Sequence, residues 1–326
     1  MTQLDYTIES WPLKTPFSFA GYTVTALEAL HVTLARNGHT GHGEGLTPIV
    51  FPVTMAQMEA AVIAAAEALR RGEDIETVCA AIDVMPARNA VDCALWDLRA
   101  KESGRSIWDL AGLPDAPARI EVDQTIGLGT PADMGQWARA SGHRVIKVKM
   151  DANQIGPRLE AVRAARPDAE LIIDANQSWS VDLLLENADL LRRLDIRMVE
   201  QPLRPGDDHL LAGLSFPVPI FADESCHVAD DVARLRSFYQ GVNIKLDKSG
   251  GLTEALKIAR AARAAGMGVM VGCMSGTSLS MAPAYVIGAL SDWADLDGPL
   301  QLQADRSPAM RYEAGHLSRF EPGLWG

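Results

Sequence analysis

Apolar residues recur along this chain in two rhythms. Up to about residue 115 the pattern is mixed. Alternation near 22–35 predicts strands, because successive side chains on a strand point to opposite faces. The run GHTGHGEG (38–45) predicts a glycine-rich turn. Three helical stretches follow, the clearest being ARNAVDCALWDLRAKESG (87–104). There Ala90, Ala94 and Leu98 form one stripe, Val91 and Leu95 lie beside it, and Gly104 supplies a stop.

From about residue 120 short β-branched runs take over: IEVDQTI, VIKVK, ELIID, IRMVE, PIFAD, GVNIK, GVMVG and WADLD. Helical stretches separate most of them. Candidate polar residues at the strand ends fall at 149, 174, 200, 223, 245, about 270, and 295, with intervals of 22 to 26 residues. Eight βα units of roughly 25–30 residues predict an α/β fold, a (β/α)8 TIM-type barrel preceded by an α+β domain. The expected boundaries are 1–115 for the α+β domain, 116–298 for the barrel and 299–326 for a C-terminal segment. That segment holds one more strand-like run, MRYEAGHL, expected to rejoin the first domain.

Composition narrows the function. The 326 residues are 48% hydrophobic, ample for a large core. A net charge of -12 argues against nucleic acid and anionic membranes as partners. It does not argue against a small anionic substrate, since a bound metal inverts the local field. The four cysteines, Cys79, Cys93, Cys226 and Cys273, form no CxxC pair, so a reduced cytoplasm is expected. MTQLDYTIESWPLK has no apolar core of a secretory signal. Residues 264–291 carry no charge, but Gly, Ser, Thr and Pro break the run, which reads as a buried strand, a tight loop and a helix start.

A barrel of this type carries its chemistry at the C-terminal ends of its strands. The second strand offers Lys147 and Lys149, the third Asp174, the fourth Glu200, the fifth Asp223 and Glu224, the sixth Lys245, and the eighth Asp295 and Asp297. Carboxylates on three consecutive strands repel unless a cation neutralises them. Hard oxygen ligands favour Mg2+, so Asp174, Glu200 and Asp223 are the expected metal ligands. Helix capping explains any one of them but not all three in chain order. Lys147 and Lys149 share a strand face. At about 6 Å and an effective dielectric near 20, two ammoniums repel by roughly 2–3 kcal/mol. That repulsion makes Lys149 a usable base, with Lys147 as its perturber. Lys149 and Lys245 come from opposite sides of the barrel. A metal between two opposed bases suits proton abstraction beside a carboxylate, hence epimerisation or racemisation.

The set KVK, DAN, EQP, ADES and NIKLDKSGG resembles the enolase superfamily in its muconate-lactonising subgroup. A Lys or His base with Mg2+ and an ene-diolate is a general description of that superfamily's sites. WPLKTPF, ARNAVDCALWDL, GCMSGTS and ADLDGP extend the resemblance over nearly the whole chain. It is narrowest to the bacterial dipeptide epimerases of the L-Ala-D/L-Glu type. The resemblance implies that the α+β domain caps the barrel and carries the specificity loops. It implies Lys149 and Lys245 as the two bases, Mg2+ on Asp174, Glu200 and Asp223, and Asp295 with Asp297 holding the α-ammonium of a dipeptide. It also sets Cys273, Met274 and Ser275 at the substrate.

One feature departs from that family. Its L-Ala-D/L-Glu members carry an arginine in the loop after the first strand, whereas here no arginine precedes Arg36. The loop offers Phe17, Phe19 and Tyr22, and only Lys14 is basic. A dipeptide with an uncharged second residue is therefore an alternative to L-Ala-L-Glu. Other reactions of the superfamily stay open: N-acylamino acid racemisation, cycloisomerisation and o-succinylbenzoate-type dehydration. A catalytically silent binding scaffold and a Schiff-base aldolase fit the charged set less well. Homo-oligomerisation is compatible with such a fold, although nothing in the chain marks an interface.

Overall fold

The computed structural model describes residues 2–19, 22–47 and 52–326, and their side chains except at 16–19 and 22–24. The expectation that Phe17, Phe19 and Tyr22 shape the substrate loop lies outside the described side chains. Strands β1 (Gln3–Phe19), β2 (Tyr22–Arg36) and β3 (His39–Leu46) form an antiparallel sheet in that order. Helices α1 (Met55–Arg70), α2 (Ile75–Ala81), α3 (Met85–Ser103) and α4 (Ile107–Ala111) follow. Gly104 ends α3 in the left-handed conformation, φ 65°.

GHTGHGEG is a strand rather than a turn, which corrects the reading of the sequence. A Cβ on Gly41, Gly43 or Gly45 would lie 2.1 Å from the carbonyl oxygen of Ala94, Ala90 or Pro86, respectively. Glycines two apart thus share one face of β3, which lies directly on the α3 backbone at four-residue steps. The stripe Ala90, Ala94 and Leu98 is the other side of this contact and is fully buried.

The IEVDQTI run divides. Its first part, β4 (Arg119–Glu121), leaves the barrel, and its second part, β5 (Gln124–Ile126), enters it. The chain then alternates through α5 (Pro131–Ala140), β6 (Val145–Lys149), α6 (Ile155–Ala165), β7 (Glu170–Asp174), α7 (Val181–Arg193) and β8 (Ile196–Glu200). Only a short 3-10 turn precedes β9 (Ile220–Ala222). Next come α8 (Asp231–Leu235), β10 (Gly241–Ile244), α9 (Leu246–Ser249), α10 (Leu252–Ala264), β11 (Gly268–Val271), α11 (Ser278–Gly288) and β12 (Trp293–Ala294). The eight strands pair in parallel, in chain order from β5 to β12.

Where β5 and β12 meet, Asp123 N–H donates to the Ala294 carbonyl and Thr125 N–H donates to Asp297. Val145, Ile172, Met198, Phe221 and Met270 form an apolar floor inside the curled sheet. The uncharged run 264–291 is β11, a loop and α11, and no helix among the described residues is long and apolar enough to cross a membrane.

The C-terminal run MRYEAGHL forms β13 (Tyr312–Glu313) and β14 (His316–Ser318), and β14 pairs with β4 rather than with the N-terminal sheet. Elsewhere in the last segment, Leu302 bridges Leu13, and the Trp325 indole donates to the Cys93 carbonyl of α3. β3 also reaches the barrel. Leu46 N–H and the Asn89 amide both donate to one oxygen of Asp247, at 3.0 and 2.9 Å, just after the sixth barrel strand.

Two stability experiments follow. Gly43→Ala puts a methyl into the α3 backbone and is expected to cost about 3 kcal/mol in urea denaturation. Gly142→Ala, where no atom lies within 4 Å of the new Cβ, is expected to be close to neutral. Burial pushes Asp247 up to about 7 from an ordinary value of 3.8. Its contribution to stability is full below the ordinary value and is lost as pH rises through the folded one. Asp247→Asn keeps the accepting oxygen without the charge. The variant should therefore gain stability relative to wild type between about pH 5 and about pH 8.5. An unchanged difference would contradict the assignment.

Candidate active site

The alternation of β6 sends Lys147 and Lys149 into the barrel, while Ile146 and Val148 face the helices. On β7 and β8, Asp174 and Glu200 occupy paired register positions. Asp223 follows β9 directly, and Lys245 follows β10. The strand ends therefore bring these groups to one end of the barrel, and almost every group is dry, but Asp174, Glu200 and Asp223 do not bring three ligand atoms within 4.8 Å of one another. Asp174 and Glu200 are fully buried, Asp223 and Lys147 are 1% exposed, and Lys245 is 8% exposed.

Lys147 Nζ lies 2.7 Å from Asp295, 2.8 Å from Glu200 and 3.2 Å from Asp174. Burial acts against its charge, but Asp295, Glu200 and Asp174 outweigh it and hold the pKa well above the usual lysine value. Lys149 donates to Asp174 at 2.6 Å. Lys245 donates to Asp223 at 2.6 Å, and Asp223 with Glu200 raises it against the opposing effect of burial. The ammonium-on-ammonium repulsion expected from KVK is therefore not the dominant field. Carboxylates in direct contact outweigh a like charge two residues away.

Reading the sequence alone missed several residues. Lys248 donates to both the carboxylate and the carbonyl of Asp223. Lys245 and Lys248 together hold Asp223 well below the usual range against the effect of burial. The second lysine of NIKLDKSGG was the signal. Asn243 donates to Glu200 at 2.7 Å and fixes its orientation. Gln201 accepts from the Asp223 N–H at 2.8 Å and donates to Ser225 and Tyr239. Asp123, a lone acid in the first strand run, is 1% exposed, and neither of its oxygens has a hydrogen-bond partner.

A second cluster adjoins this one at Asp295. Cys273, Asp295 and Asp297 bring their side-chain donor atoms within 4.8 Å of one another, the one such metal-type grouping among the described residues. Burial, with Asp295 beside it, pushes Asp297 up to about 6. Burial and the same two aspartates push the Cys273 thiol well above its usual value. A protonated thiol is a poor metal ligand, whereas two crowded carboxylates suit an ammonium. Met274 and Ser275 continue the half-exposed loop from Cys273, and Ser275 Oγ reaches Gln301 at 3.5 Å.

The donor set at the strand ends fits a hard divalent cation. Seven buried carboxyls, at 123, 174, 200, 223, 224, 295 and 297, meet four ammoniums, at 147, 149, 245 and 248. Burial and Asp174 push Glu200 up to about 8. Its Oε2 touches Lys147 outside hydrogen-bonding geometry, and neither Glu224 oxygen receives a hydrogen bond of normal geometry. Carboxyl groups exceed the ammoniums that could balance them, which adds to burial in pushing Glu200 up, and all the surplus ligands are oxygen.

Comparison with known proteins gives the family of the chain. Residues 1–112 match the mandelate racemase / muconate lactonizing enzyme N-terminal domain, and residues 130–324 match the enolase C-terminal domain-like family. The chain is 40% identical to the L-Ala-D/L-Glu epimerase of Escherichia coli K12, over 95% of this chain and 97% of the relative. It is 40% identical to an N-acetyl-D-glutamate racemase of a Pseudoalteromonas species, over 75% and 78%. A crystal structure from Agrobacterium tumefaciens superposes with a TM-score of 0.94 at 38% identity, covering 100% of both chains. It is described as an enolase family member with homology to dipeptide epimerases, with sodium and L-Ala-L-Glu bound. Both domain matches and the strand-end set lead to one assignment: the chain belongs to the mandelate racemase and muconate lactonizing enzyme family of the enolase superfamily.

Proposed function

We propose that this protein is an isomerase, a Mg2+-dependent dipeptide epimerase that inverts the α-carbon of the second residue of an L-Ala-L-Xaa dipeptide. The observation that carries the reading is the pairing of Asp295 and Asp297 beside the protonated Cys273 thiol, next to the lysines and acids of β6 to β10, which it meets through the 2.7 Å contact of Lys147 with Asp295. That cluster suits the free ammonium of a dipeptide. The Pseudoalteromonas relative favours a second reading, racemisation of an N-acylated amino acid. Such a substrate has no ammonium to offer the two carboxylates. The free, buried or half-buried cysteines also favour the cytoplasm as its compartment.

Asp174, Glu200 and Asp223 would hold the Mg2+, which when bound stabilises negative charge developing on the substrate carboxylate. Asp295 and Asp297 hold the ammonium through charge-assisted hydrogen bonds and so fix the α-carbon between the lysines. One of Lys149 and Lys245, in its neutral form, takes the α-proton from one face. The other, as an ammonium, returns a proton to the opposite face. Lys147 stays charged throughout and holds Asp295 and Glu200 in place. No arginine precedes Arg36, so an uncharged second residue is preferred to glutamate.

The test uses L-Ala-L-Xaa and L-Ala-D-Xaa peptides in D2O with Mg2+, read by mass. Lys149→Ala and Lys245→Ala are each expected to slow epimerisation by about 10^2–10^4-fold, the usual loss for a general acid or base. Each variant should still exchange the α-proton of one epimer, and the two variants should differ in which one. Undiminished epimerisation in either would sink the two-base mechanism.

A further inference from the structure

The loop after β11 carries Cys273, Met274 and Ser275, yet no backbone hydrogen bond to another backbone group holds residues 273–276 among the described residues. Its position is set from outside the barrel. Glu44, on β3 of the N-terminal sheet, is 1% exposed. One of its oxygens accepts from Thr277 N–H at 2.9 Å, and the other accepts from Thr277 Oγ1 at 2.5 Å. Thr277 is the N-cap of α11, so Glu44 fixes the point where loop becomes helix.

Arg306, from the C-terminal segment, supplies the opposing charge. Its guanidinium donates to Glu44 at 2.6 Å, to Thr277 Oγ1 at 3.1 Å and to Glu9 at 3.0 Å, and it stacks 4.9 Å over the Trp11 ring. A buried carboxylate whose arginine partner is itself fixed by Thr277, Glu9 and an aromatic ring is an orientation-specific anchor.

Contact passes from this anchor to the substrate site. A Cβ on Gly276 would lie 2.5 Å from Leu46 and 3.2 Å from Glu44, so the loop touches β3 directly. A Cβ on Gly298 would lie 3.0 Å from Gly276 N and 3.2 Å from Ser275 Cα, so the turn after Asp297 packs on the same loop. Glu44, Thr277, Gly276, Gly298 and Asp297 thus form one line of tight packing.

We propose that Glu44, held by Arg306, is a positioning residue for recognition of the substrate's ammonium: it locks the 273–277 loop against Asp297 and so ties the shape of that subsite to the N-terminal sheet. The proposal rests on reading Asp295 and Asp297 as the ammonium site. It adds that the subsite is assembled by a carboxylate that never touches the substrate.

The first readout needs no activity. Cys273 is half-buried, whereas Cys79, Cys93 and Cys226 are buried, so iodoacetamide labelling followed by mass spectrometry reports the loop. Glu44→Gln is expected to speed alkylation of Cys273 by roughly tenfold or more and to leave the other three unchanged. Equal labelling of Cys273 in variant and wild type would overturn the positioning role.

The second readout is selective. KM for the dipeptide should rise roughly ten- to a hundredfold, as when a group that orients a binding residue is lost, with kcat within about threefold. Inhibition by the N-acetylated dipeptide, which lacks the ammonium, should stay constant. A parallel loss for both ligands, or a loss in kcat alone, would overturn the link to the ammonium. If Glu44→Gln exposes all four thiols, Thr277→Val and Thr277→Ser replace it. Selective labelling and a raised KM in Val but not in Ser support the proposal, and no difference between them overturns it. A wild-type enzyme inert to every dipeptide would count against the epimerase reading, while the labelling would still decide the anchor.

Discussion

A surplus of carboxyl groups over ammoniums in a dry space is the constraint on which the rest of the site depends. Carboxyls outnumber ammoniums where the barrel strands end, and water reaches almost none of them. Removing one partner from such a buried pair typically costs about 3–5 kcal/mol, because it strands the other. Each lysine is therefore placed by acids from other strands. Lys147 binds Asp295, Glu200 and Asp174 at once, and so couples the eighth strand to the third and fourth. The chemistry proposed here uses the same imbalance: a divalent cation completes the neutralisation on one side, and a substrate ammonium completes it on the other.

Holding that arrangement requires more than the barrel. β3 lies on α3 so closely that three of its residues have to be glycine, and from that rigid contact it reaches two barrel loops. Through Leu46 it meets Asp247, two residues beyond Lys245. Through Glu44 it meets Thr277, four residues beyond Cys273. A single strand outside the barrel thereby supports the segments carrying Lys245, one of the two proposed bases, and Cys273, beside the proposed ammonium site. Short loops at strand ends have few backbone bonds of their own, and sites on such loops gain precision from supports of this kind.

The barrel was legible in the chain because its eight strand runs are short, β-branched and evenly spaced, and six of them carry a polar residue at their end whose place follows from that spacing. Lys147, Lys149, Asp174, Glu200, Asp223 and Lys245 all project where the period of two sends them. The errors share one cause, which is contact between distant segments. GHTGHGEG read as a turn because the helix that requires its glycines is not adjacent in sequence. Lysine repulsion was overestimated because Asp295 is 148 residues from Lys147. Glu44 and Arg306 drew no attention because neither sits in a periodic pattern, and only the fold joins them.

Mg2+ titration calorimetry on wild type, Glu200→Gln and Asp297→Asn tests the central claim most directly, because it asks which carboxylates demand the cation. The account predicts one Mg2+ per wild-type chain, binding kept in Asp297→Asn and lost in Glu200→Gln. Binding that survives in Glu200→Gln but vanishes in Asp297→Asn would contradict it and move the metal to the Cys273, Asp295 and Asp297 cluster. No Mg2+ binding to folded wild type would contradict the claim that the buried carboxyl surplus is met by a divalent cation.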